Sequence, residues 1–433
     1  LGRMRLSEAD QLVRPLLEYM QEAPGLEKLD VAGSYRRREE TVGDIDLLAV
    51  AEESGPLMEH FTEFDQVQRV ESAGDTKGTV ILRSDLQVDL RVLPARSYGA
   101  AMHYFTGSKE HNVAVRERGV RQGLRINEYG VFRVPEDADP DEMEPQEGER
   151  VGGEEEQDVF DAVGLEWIPP ELRENRGEIE AAAEGKLPEL ITVDDIRGDL
   201  QMHSEHSDGD ATIEEMARAC AERGYEYLAI TDHSQRVSVT RGLDEEALEE
   251  QWKEIEAIRE RLGDDIRLLR SLEVDILEDG SLDLDDEHLE GLDLVVVSVH
   301  SYMDLSRKEQ TERIIEAISH PEVDILAHPT GRRINEREPY ELDMEAVLEA
   351  AKEHDVALEI NANPARLDLN DRHAFRTREL GADIVISTDA HSVDNLDLMR
   401  YGVDQARRAW LQPEQVINTL SLSDFEAWLG RGS

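Results

Sequence analysis

Seven apolar, strand-like segments alternate with helix-like segments after Gly198, and this pattern constrains the fold more than any other feature of the chain. The capping pattern Thr212-x-x-Glu215 opens one intervening helix, and Gly224 is placed to end it. Strands that alternate with helices in this way are typical of parallel βα units. The sequence therefore predicts a barrel whose strands lie at 199–202, 225–231, 267–274, 293–299, 323–327, 356–360 and 383–387.

Histidines and carboxylates follow these predicted strands. They are His203, His233, Glu273, His300, His328, Asp389 and His391. The carboxyl ends of parallel barrel strands face one rim, where active sites are built. A single histidine there is more often a core residue, but five at successive strand ends form a constellation. Imidazole and carboxylate ligands without thiolates suit zinc, manganese or iron, and such a cluster activates water against a phosphate ester.

The length of 433 residues predicts two or three domains. The single cysteine, Cys220, excludes a disulfide framework and cysteine-rich zinc sites, and we expect it to be buried in a helix over 212–223. The sequence has no apolar run of 18 residues and no signal-peptide pattern, so we predict a cytoplasmic protein without membrane partners.

Three carboxylates nearer the N-terminus predict a second metal site. Asp44 and Asp46 lie two positions apart in an apolar run, so on a strand both side chains project from one face. Asp89 lies in an alternating segment that reads as a neighbouring strand. Carboxylates so arranged suit two magnesium ions about 3.5–4 Å apart, which would clamp the attacking and leaving oxygens of a phosphoryl transfer.

A glycine-serine pair precedes these carboxylates. Gly33 permits a tight turn whose backbone N–H groups, with the Ser34 hydroxyl, would hold a triphosphate, and Arg37 would reach it bidentately. Gly43 and Arg91, which flank the carboxylate positions, complete the predicted nucleotide-binding set. Asp-x-Asp alone is a weak motif in so acidic a chain, but the linked motifs together predict nucleotidyl transfer.

The segments from Gly33 to Asp46 and around Asp89 resemble the palm of family X DNA polymerases, the group of DNA polymerase beta. The run Tyr104-Phe105-Thr106-Gly107-Ser108, followed by Asn112 and Arg116, resembles the thumb entry of that family. The resemblance implies that Tyr104, Phe105 and Gly107 contact the incoming sugar. It further implies that Asn112 touches the minor-groove edge of the incoming base and Arg116 the template strand. Asp44, Asp46 and Asp89 would bind two magnesium or manganese ions, and Asp89 would help to deprotonate the primer 3′ hydroxyl.

The downstream region resembles the polymerase and histidinol phosphatase (PHP) domain. The matching residues are His203, Asp208, His233, Glu273, His300, His328, Asp389 and His391. The resemblance implies a cluster of manganese, zinc or iron ions that hydrolyses phosphoesters, with 3′-5′ exonuclease and DNA-end or abasic-site processing. One position departs from the family pattern, because Gln201-Met202-His203 stands where His-x-His is usual. We expect one of the metal positions to be weakened or rebuilt.

The predicted architecture is a multidomain α/β and α+β protein. It comprises a nucleotidyltransferase palm at 1–98, a small thumb at 99–176, a linker at 177–197 and a distorted seven-stranded PHP barrel at 198–433. The acidic stretch at 135–158 is predicted to form solvated loops without chemistry. The sequence begins at the predicted palm, whereas family members have an upstream helix-hairpin-helix region, so it is either a fragment or a reduced architecture. For this chain we expect poor processivity and no deoxyribose-phosphate lyase activity.

The formal charge of −52 is unusual for a DNA-binding protein. Lysine is scarce whereas arginine is plentiful, a composition that resembles proteins of salt-accumulating halophiles. In molar salt the Debye length falls to about 3 Å, so repulsion from DNA is screened while contact-range arginines still act. The alternative is an acidic mesophilic protein that does not bind DNA.

The sequence thus predicts a bifunctional repair polymerase. It would act on gapped or primer–template DNA with deoxynucleoside triphosphates, in gap filling of the base excision type, and could work with other repair proteins. One alternative is a PHP nuclease or phosphatase whose palm only holds DNA, and another is a non-catalytic DNA-end scaffold. A small-molecule nucleotidyltransferase would share the Gly-Ser and Asp-x-Asp motifs but has no reason to keep the thumb-entry run.

Overall fold

The structure, a computed structural model, describes residues 2–430, so Leu1 and residues 431–433 of the predicted domains lie outside the described residues. The chain divides into two compact units between Leu187 and Pro188. This division falls inside the segment predicted as a linker. Each unit has its own sheets and its own candidate site.

The first unit contains ten strands and seven α-helices in its described part. They are β1 (Met4–Arg5), α1 (Leu6–Gln21), β2 (Leu26–Val31), α2 (Gly33–Arg36), β3 (Thr41–Val42), β4 (Asp44–Ala51), α3 (Ser54–Thr62), β5 (Val67–Ala73), β6 (Lys77–Leu82), β7 (Gln87–Val92), α4 (Tyr98–Thr106), α5 (Lys109–Val120), β8 (Leu124–Asn127), β9 (Gly130–Arg133), β10 (Glu149–Gly152), α6 (Glu156–Ala162) and α7 (Glu178–Ala183).

A five-stranded sheet with the order β2-β4-β7-β6-β5 forms the centre of this unit. The pair β4–β7 is parallel, and the other neighbours are antiparallel. Ile45 and Leu47 of β4 are fully buried on one face of the strand, which fixes its register. The polar side chains at the start of β4 are thereby directed away from the core.

A three-stranded antiparallel sheet, β10-β9-β8, lies in the second half of the unit. Part of the segment predicted as solvated loops is therefore ordered, because β10 pairs with β9 and α6 begins at Glu156. The expectation that this whole stretch is solvated is wrong. Glu156 is bonded to the buried Arg173, a partner that local composition does not reveal.

The second unit alternates strands and helices in its described part. They are β11 (Gly198–Asp199), α8 (Ile213–Glu222), β12 (Tyr227–Ile230), α9 (Glu245–Leu262), β13 (Arg267–Asp275), α10 (Asp286–Gly291), β14 (Leu294–Ser298), α11 (Arg307–Ile318), β15 (Ile325–Leu326), α12 (Met344–Glu353), β16 (Ala357–Asn361), α13 (Asp371–Leu380), β17 (Ile384–Ser387), α14 (Met399–Arg408) and α15 (Leu422–Leu429).

All seven strands of this unit are parallel and follow chain order from β11 to β17. A parallel bridge between Met202 and Ala390, with the His203 N–H donating to the Ala390 carbonyl at 2.8 Å, joins the two edges into a nearly closed barrel. The predicted barrel is confirmed, and so is the burial of Cys220 on α8, which Thr212 caps. None of the helices within residues 2–430 has the length and apolarity needed to cross a bilayer.

Candidate active sites

The first candidate site lies at the start of two parallel strands. In the β4–β7 register, Asp46 lies directly opposite Asp89, and Asp44 lies opposite Gln87. Asp44 and Asp46 are on the same face of β4 because side chains alternate along a strand. Asp44 is exposed, Asp46 half-buried and Asp89 buried. The structure thus brings the three predicted carboxylates together at one edge of the sheet.

Positive charge at this edge is limited. The Arg91 guanidinium donates to Asp46 Oδ1 at 3.1 Å. Burial and the neighbouring Asp44 nevertheless raise the pKa of Asp46 to about 6, and burial and Asp89 raise the pKa of Asp44. Carboxylates that crowd each other in this way lower their mutual repulsion by binding a cation. The donor set consists of hard oxygens, so it fits magnesium or manganese.

Asp89 is held by two side chains that sequence reasoning missed. The Thr79 hydroxyl on β6 donates to Asp89 Oδ1, and Gln87 Nε2 donates to Oδ2 at 3.1 Å. Thr79 lies opposite Asp89 in the β6–β7 ladder. The alternation of β6 indicates a strand, but its pairing with β7 was needed to identify Thr79 as a neighbour.

The predicted phosphate cradle begins at Gly33, which has φ +70° and starts α2. A Cβ atom at this position would lie 2.8 Å from Asp46 Oδ2, so glycine allows the backbone to approach the carboxylate. Ser34 is half-buried on the same helix, and the exposed Gly43 directly precedes Asp44. Gly33, Ser34 and Gly43 therefore surround the carboxylate edge.

Arg37 is less available than the sequence suggested. Its guanidinium donates to Glu174 at 2.8 Å, to Glu39 at 2.6 Å and to the Thr106 carbonyl at 2.7 Å. A triphosphate would have to displace one of these carboxylates. The role of Arg37 as a phosphate ligand stays a prediction.

The predicted thumb entry lies on α4 and α5. The Arg91 guanidinium lies 4.1 Å from the centroid of the Phe105 ring, so Arg91 connects this segment to Asp46. Tyr104 is exposed, and its carbonyl accepts from Asn112 Nδ2 at 2.8 Å. Asn112 Oδ1 is buried without a hydrogen-bond partner within residues 2–430, whereas Arg116 is exposed.

The second candidate site lies at the carboxyl rim of the barrel. The eight predicted metal ligands cluster there. Three overlapping groups have ligand atoms within 4.8 Å of one another: His203, Asp208, His233 and His391; His233, Glu273 and His300; and His203, Glu273 and Asp389. The eighth residue, His328, joins through Glu273, because its Nε2 lies 2.9 Å from Glu273 Oε1.

Glu273, at the end of β13, connects the groups. Its Oε1 lies 3.1 Å from His300 Nε2 and 2.9 Å from His328 Nε2. Its Oε2 lies 3.3 Å from His233 Nδ1 and 3.5 Å from His203 Nε2. The two oxygens of Glu273 thus face different pairs of histidines. A carboxylate placed in this way is suited to bridge two cations.

Several buried atoms of this cluster have no hydrogen-bond partner among the described residues: His203 Nδ1, His233 Nδ1, His328 Nδ1 and Glu273 Oε2. Buried polar atoms are usually satisfied, and a group of unpaired imidazole and carboxylate atoms is the donor set of a transition-metal site. The residues therefore fit a multinuclear cluster. Bound ions there would lower the pKa of a water molecule and polarise a phosphate.

The charges of the cluster also favour the binding of metal ions. Burial lowers the pKa of His233, but Glu273 and Asp208 outweigh burial and raise it to about 9. His391 is likewise raised to about 9, mainly through Asp208 and Asp389, against burial. These carboxylates attract a positive charge strongly enough to hold a proton on each ring, and a metal ion replaces that proton when it binds.

Gln201 occupies the position where the broad PHP motif has its first histidine. Its side chain is buried, and Nε2 donates to Asp389 Oδ1 at 3.2 Å. That oxygen also lies 2.8 Å from His203 Nε2. Gln201 Oε1 is unpaired among the described residues, so an amide oxygen is present where an imidazole nitrogen is usual.

Further polar residues of the rim were not predicted. Glu359 and Asn361 end β16: Asn361 Nδ2 lies 2.9 Å from Glu359 Oε1 and 3.2 Å from Asp389 Oδ2. Asp232 accepts from the Ser204 and Ser207 hydroxyls and from Gln251 Nε2 at 2.6 to 2.8 Å, which supports the loop that carries His203. Position at a strand end was the available signal for Glu359 and Asn361.

Comparisons with known proteins match regions in both units of the chain. The family model of the DNA polymerase beta thumb matches residues 101–174, and that of the PHP domain matches residues 199–363. The DNA polymerase/3′-5′ exonuclease PolX of Bacillus subtilis (strain 168) is 40% identical over 431 residues, which cover 99% of this chain and 73% of the relative.

Two further similarities cover parts of the chain. A probable phosphatase of Thermoanaerobacter sp. (strain X514) is 29% identical over 223 residues, 48% of this chain and 84% of the phosphatase. The crystal structure of Leishmania infantum polymerase beta in a ternary P/T complex has a TM-score of 0.35 and 25% identity, and covers 40% of this chain and 77% of that one. On the near full-length match and the two domain models, the chain belongs to the PolX family of DNA polymerases, which join a family X polymerase to a PHP-domain 3′-5′ exonuclease.

Proposed function

We propose that the carboxylates Asp44, Asp46 and Asp89 bind two magnesium or manganese ions and carry out nucleotidyl transfer in gap-filling repair of the base excision type. In this reaction the primer 3′ oxygen attacks the α-phosphorus of a deoxynucleoside triphosphate, and pyrophosphate leaves. Asp89 takes the proton of the primer hydroxyl. Positioning and charge stabilisation supply most of the acceleration of such a transfer.

The observation that carries this proposal is the parallel β4–β7 pairing, which sets Asp46 opposite Asp89 with Asp44 beside them. Gly33 and Ser34 would receive the triphosphate at the start of α2, while Tyr104, Phe105 and Gly107 would contact the sugar. Asn112 has an unpaired buried oxygen next to Tyr104, which suits a hydrogen bond from an incoming base edge. Arg116 is exposed and would contact the template strand.

We further propose that the barrel cluster hydrolyses the phosphodiester at a DNA 3′ end. Its eight ligands would be His203, Asp208, His233, Glu273, His300, His328, Asp389 and His391, holding manganese, zinc or iron. The residues themselves orient the ions, because Glu273 bridges the rings of its neighbours and Asp208 lies 3.1 Å from His391 Nε2. The partners of the whole chain would be gapped or primer–template DNA, nucleotides and other repair proteins.

Two single substitutions separate the two activities. Primer extension and 3′ digestion are measured in parallel, with manganese, on the same labelled primer–template. Asp44→Ala is expected to abolish extension and retain digestion, and His233→Ala is expected to do the reverse. If Asp44→Ala leaves extension intact, the palm assignment is wrong, and if His233→Ala leaves digestion intact, the barrel assignment is wrong.

A further inference from the structure

Two loops at the carboxyl rim of the barrel expose side chains next to candidate metal ligands. The loop after β14 carries Tyr302, which is 50% exposed, two residues beyond His300. The loop after β12 carries the exposed Arg236, three residues beyond His233. Two residues of chain span at most about 7 Å, so the Tyr302 backbone lies within that distance of the His300 backbone.

Tyr302 is held firmly in its exposed position. Its carbonyl accepts from Gln310 Nε2 at 3.1 Å and from Arg313 Nη1 at 3.3 Å, and Arg313 is buried. The Arg313 guanidinium lies 5.8 Å from the centroid of the tyrosine ring. The Arg313 guanidinium thus lies near the tyrosine ring, and about half of the surface of Tyr302 stays accessible to a ligand.

The backbone at this position is costly for a tyrosine. Tyr302 has φ +54°, in the left-handed region that glycine and asparagine adopt most easily. A residue held there costs about 1–3 kcal/mol, and such outliers cluster at functional sites. A glycine would relieve this backbone strain but would supply no aromatic ring. The presence of a tyrosine therefore indicates a role for the ring.

The ring and Arg236 line an open cleft of about 730 Å³. Glu278, Asp279, Glu309, Glu312 and Glu316 line the same cleft, and their carboxylates repel a phosphate from its interior. A flat, uncharged group with hydrogen-bond donors fits such a wall better than a phosphate does. Nucleobases meet that description, and they stack on aromatic side chains with about 1–3 kcal/mol per base.

We propose that Tyr302 is a stacking platform for one base of the DNA strand that the barrel cleaves. This inference rests on the proposed exonuclease activity of the barrel. It adds a subsite that recognises a base outside the metal cluster. The barrel would thereby favour a strand that is unpaired near its 3′ end, because a paired base has no free face to offer.

The test compares the wild type with Tyr302→Ala and with Tyr302→Phe, which keeps the ring and serves as the matched control. The substrates are single-stranded oligonucleotides, either intact or with one abasic site at the first, second or third position from the 3′ end. Steady-state kcat and KM of digestion are measured with manganese. Hydrolysis of bis(p-nitrophenyl) phosphate, which has no base, reports separately on the metal centre.

We expect one abasic position to raise the KM of the wild type about tenfold, which corresponds to about 1.4 kcal/mol of lost stacking. Tyr302→Ala should show the higher KM on intact DNA and no further penalty from the abasic site, with kcat unchanged. Tyr302→Phe should behave as the wild type does. Both variants should hydrolyse bis(p-nitrophenyl) phosphate at the wild-type rate.

Three results overturn the inference. If Tyr302→Ala digests DNA with the wild-type abasic penalty, no stacking occurs at this residue although the exonuclease assignment stands. If Tyr302→Ala also loses hydrolysis of the base-free ester, Tyr302 supports the metal centre instead of binding a base. If the wild type digests no DNA under any of these conditions, the proposed function fails and the platform fails with it. As an independent readout, 2-aminopurine at the sensitive position should be quenched by the wild type and by Tyr302→Phe, but not by Tyr302→Ala.

Discussion

At the scale of single residues, Gly33 shows how one backbone position controls the palm carboxylates. A Cβ at Gly33 would meet Asp46 Oδ2 at 2.8 Å, so an alanine can be accommodated only if the carboxylate moves. Gly25 has nearly the same φ, +71° against +70°, but a Cβ there would make ordinary contact with Glu52 at 3.5 Å. The two glycines therefore separate backbone strain from displacement of Asp46.

Gly33→Ala is expected to lower single-nucleotide incorporation at least tenfold, because small displacements of reacting groups cost large factors in rate. Both Gly33→Ala and Gly25→Ala should lose about 1–2 kcal/mol of unfolding free energy, the cost of a left-handed alanine. Single-turnover incorporation and urea unfolding measure the two effects. Equal incorporation by both variants would show that Gly33 does not position Asp46.

The sequence identified the residue types of both sites but not all their partners. Asp44 and Asp46 could be predicted to share a face because side chains alternate along a strand, and Asp89 could be added from the resemblance to the family X palm. The engagement of Arg37 by Glu174, 137 residues away, could not, since a pairing at that separation depends on the tertiary fold. Glu359 was not predicted because it lies inside the apolar run of 356–360, and its connection to Asp389 through Asn361 depends on the pairing of β16 with β17.

At the scale of elements, α6 is anchored by one carboxylate. Glu156, its first residue, accepts from Arg36 on α2, from the fully buried Arg173 and from Trp167 Nε1, at 2.6 to 3.0 Å. Burial favours the neutral acid, but Arg173 and Arg36 outweigh it and hold the pKa of Glu156 well below its usual range. Glu156 thus joins the helix of the predicted cradle to the second half of the unit.

Glu156→Gln is expected to cost about 3–5 kcal/mol of stability, because it removes the carboxylate that is bonded to the buried Arg173 guanidinium. Urea unfolding at pH 7.5 measures the loss. The matched control is Glu149→Gln on β10, whose ion pair with Arg133 spans 3.4 Å between two exposed side chains and should be worth no more than about 1 kcal/mol. Similar losses in the two variants would mean that the Glu156 cluster does not stabilise the unit.

A buried histidine pair joins α4, α5 and α7. His111 Nε2 lies 3.2 Å from His103 Nε2, and His111 Nδ1 lies 3.0 Å from Glu178 Oε1. Burial, reinforced by Arg173, lowers the pKa of His111 to about 3. In the unfolded chain the His111 imidazole would take up a proton near pH 6.5. The stability that neutral His111 contributes is therefore complete above pH 6.5 and is lost as the pH falls below it.

We expect His111→Gln to reduce the acid sensitivity of the fold. Between pH 7.5 and 5.5 the wild type should lose about 1.4 kcal/mol more unfolding free energy than the variant, because only the wild type carries this titration. Urea unfolding at the two pH values gives the difference, and the exposed His354 provides a control in His354→Gln, which should not change the pH dependence. A variant as acid-sensitive as the wild type would contradict the neutral assignment of His111.

The barrel elements were predictable because buried parallel strands are continuous apolar runs bounded by helices. The residues at which the strands begin and end were less predictable. β15 is only Ile325–Leu326 where 323–327 was predicted, and β11 ends at Asp199 before the predicted residues 200–202. An apolar run does not record where regular ladder pairing stops, and Met202 lies outside β11 although it forms an isolated bridge to Ala390.

At the scale of the whole molecule, the formal charge of −52 opposes compactness and DNA binding alike. Like charges on one chain destabilise the folded state, and they repel a polyanion at long range. Arg91 and Arg116, the predicted nucleotide and template contacts, would still act at contact distance. Salt at molar concentration screens the long-range repulsion and leaves the short-range attraction between arginines and phosphates, because the Debye length is then about 3 Å.

We therefore propose adaptation to high salt and expect the midpoint of thermal unfolding to rise from 0.1 M to 2 M KCl, while affinity for primer–template DNA is retained. Ordinary DNA-binding proteins lose affinity steeply over that range, since each phosphate contact releases counterions. Differential scanning fluorimetry and fluorescence anisotropy with a labelled primer–template measure the two quantities, with sorbitol at matched osmolality as a control for water exclusion. If stability and affinity both fall as KCl rises, the charge is not an adaptation to salt, and the alternative of an acidic mesophilic protein is favoured.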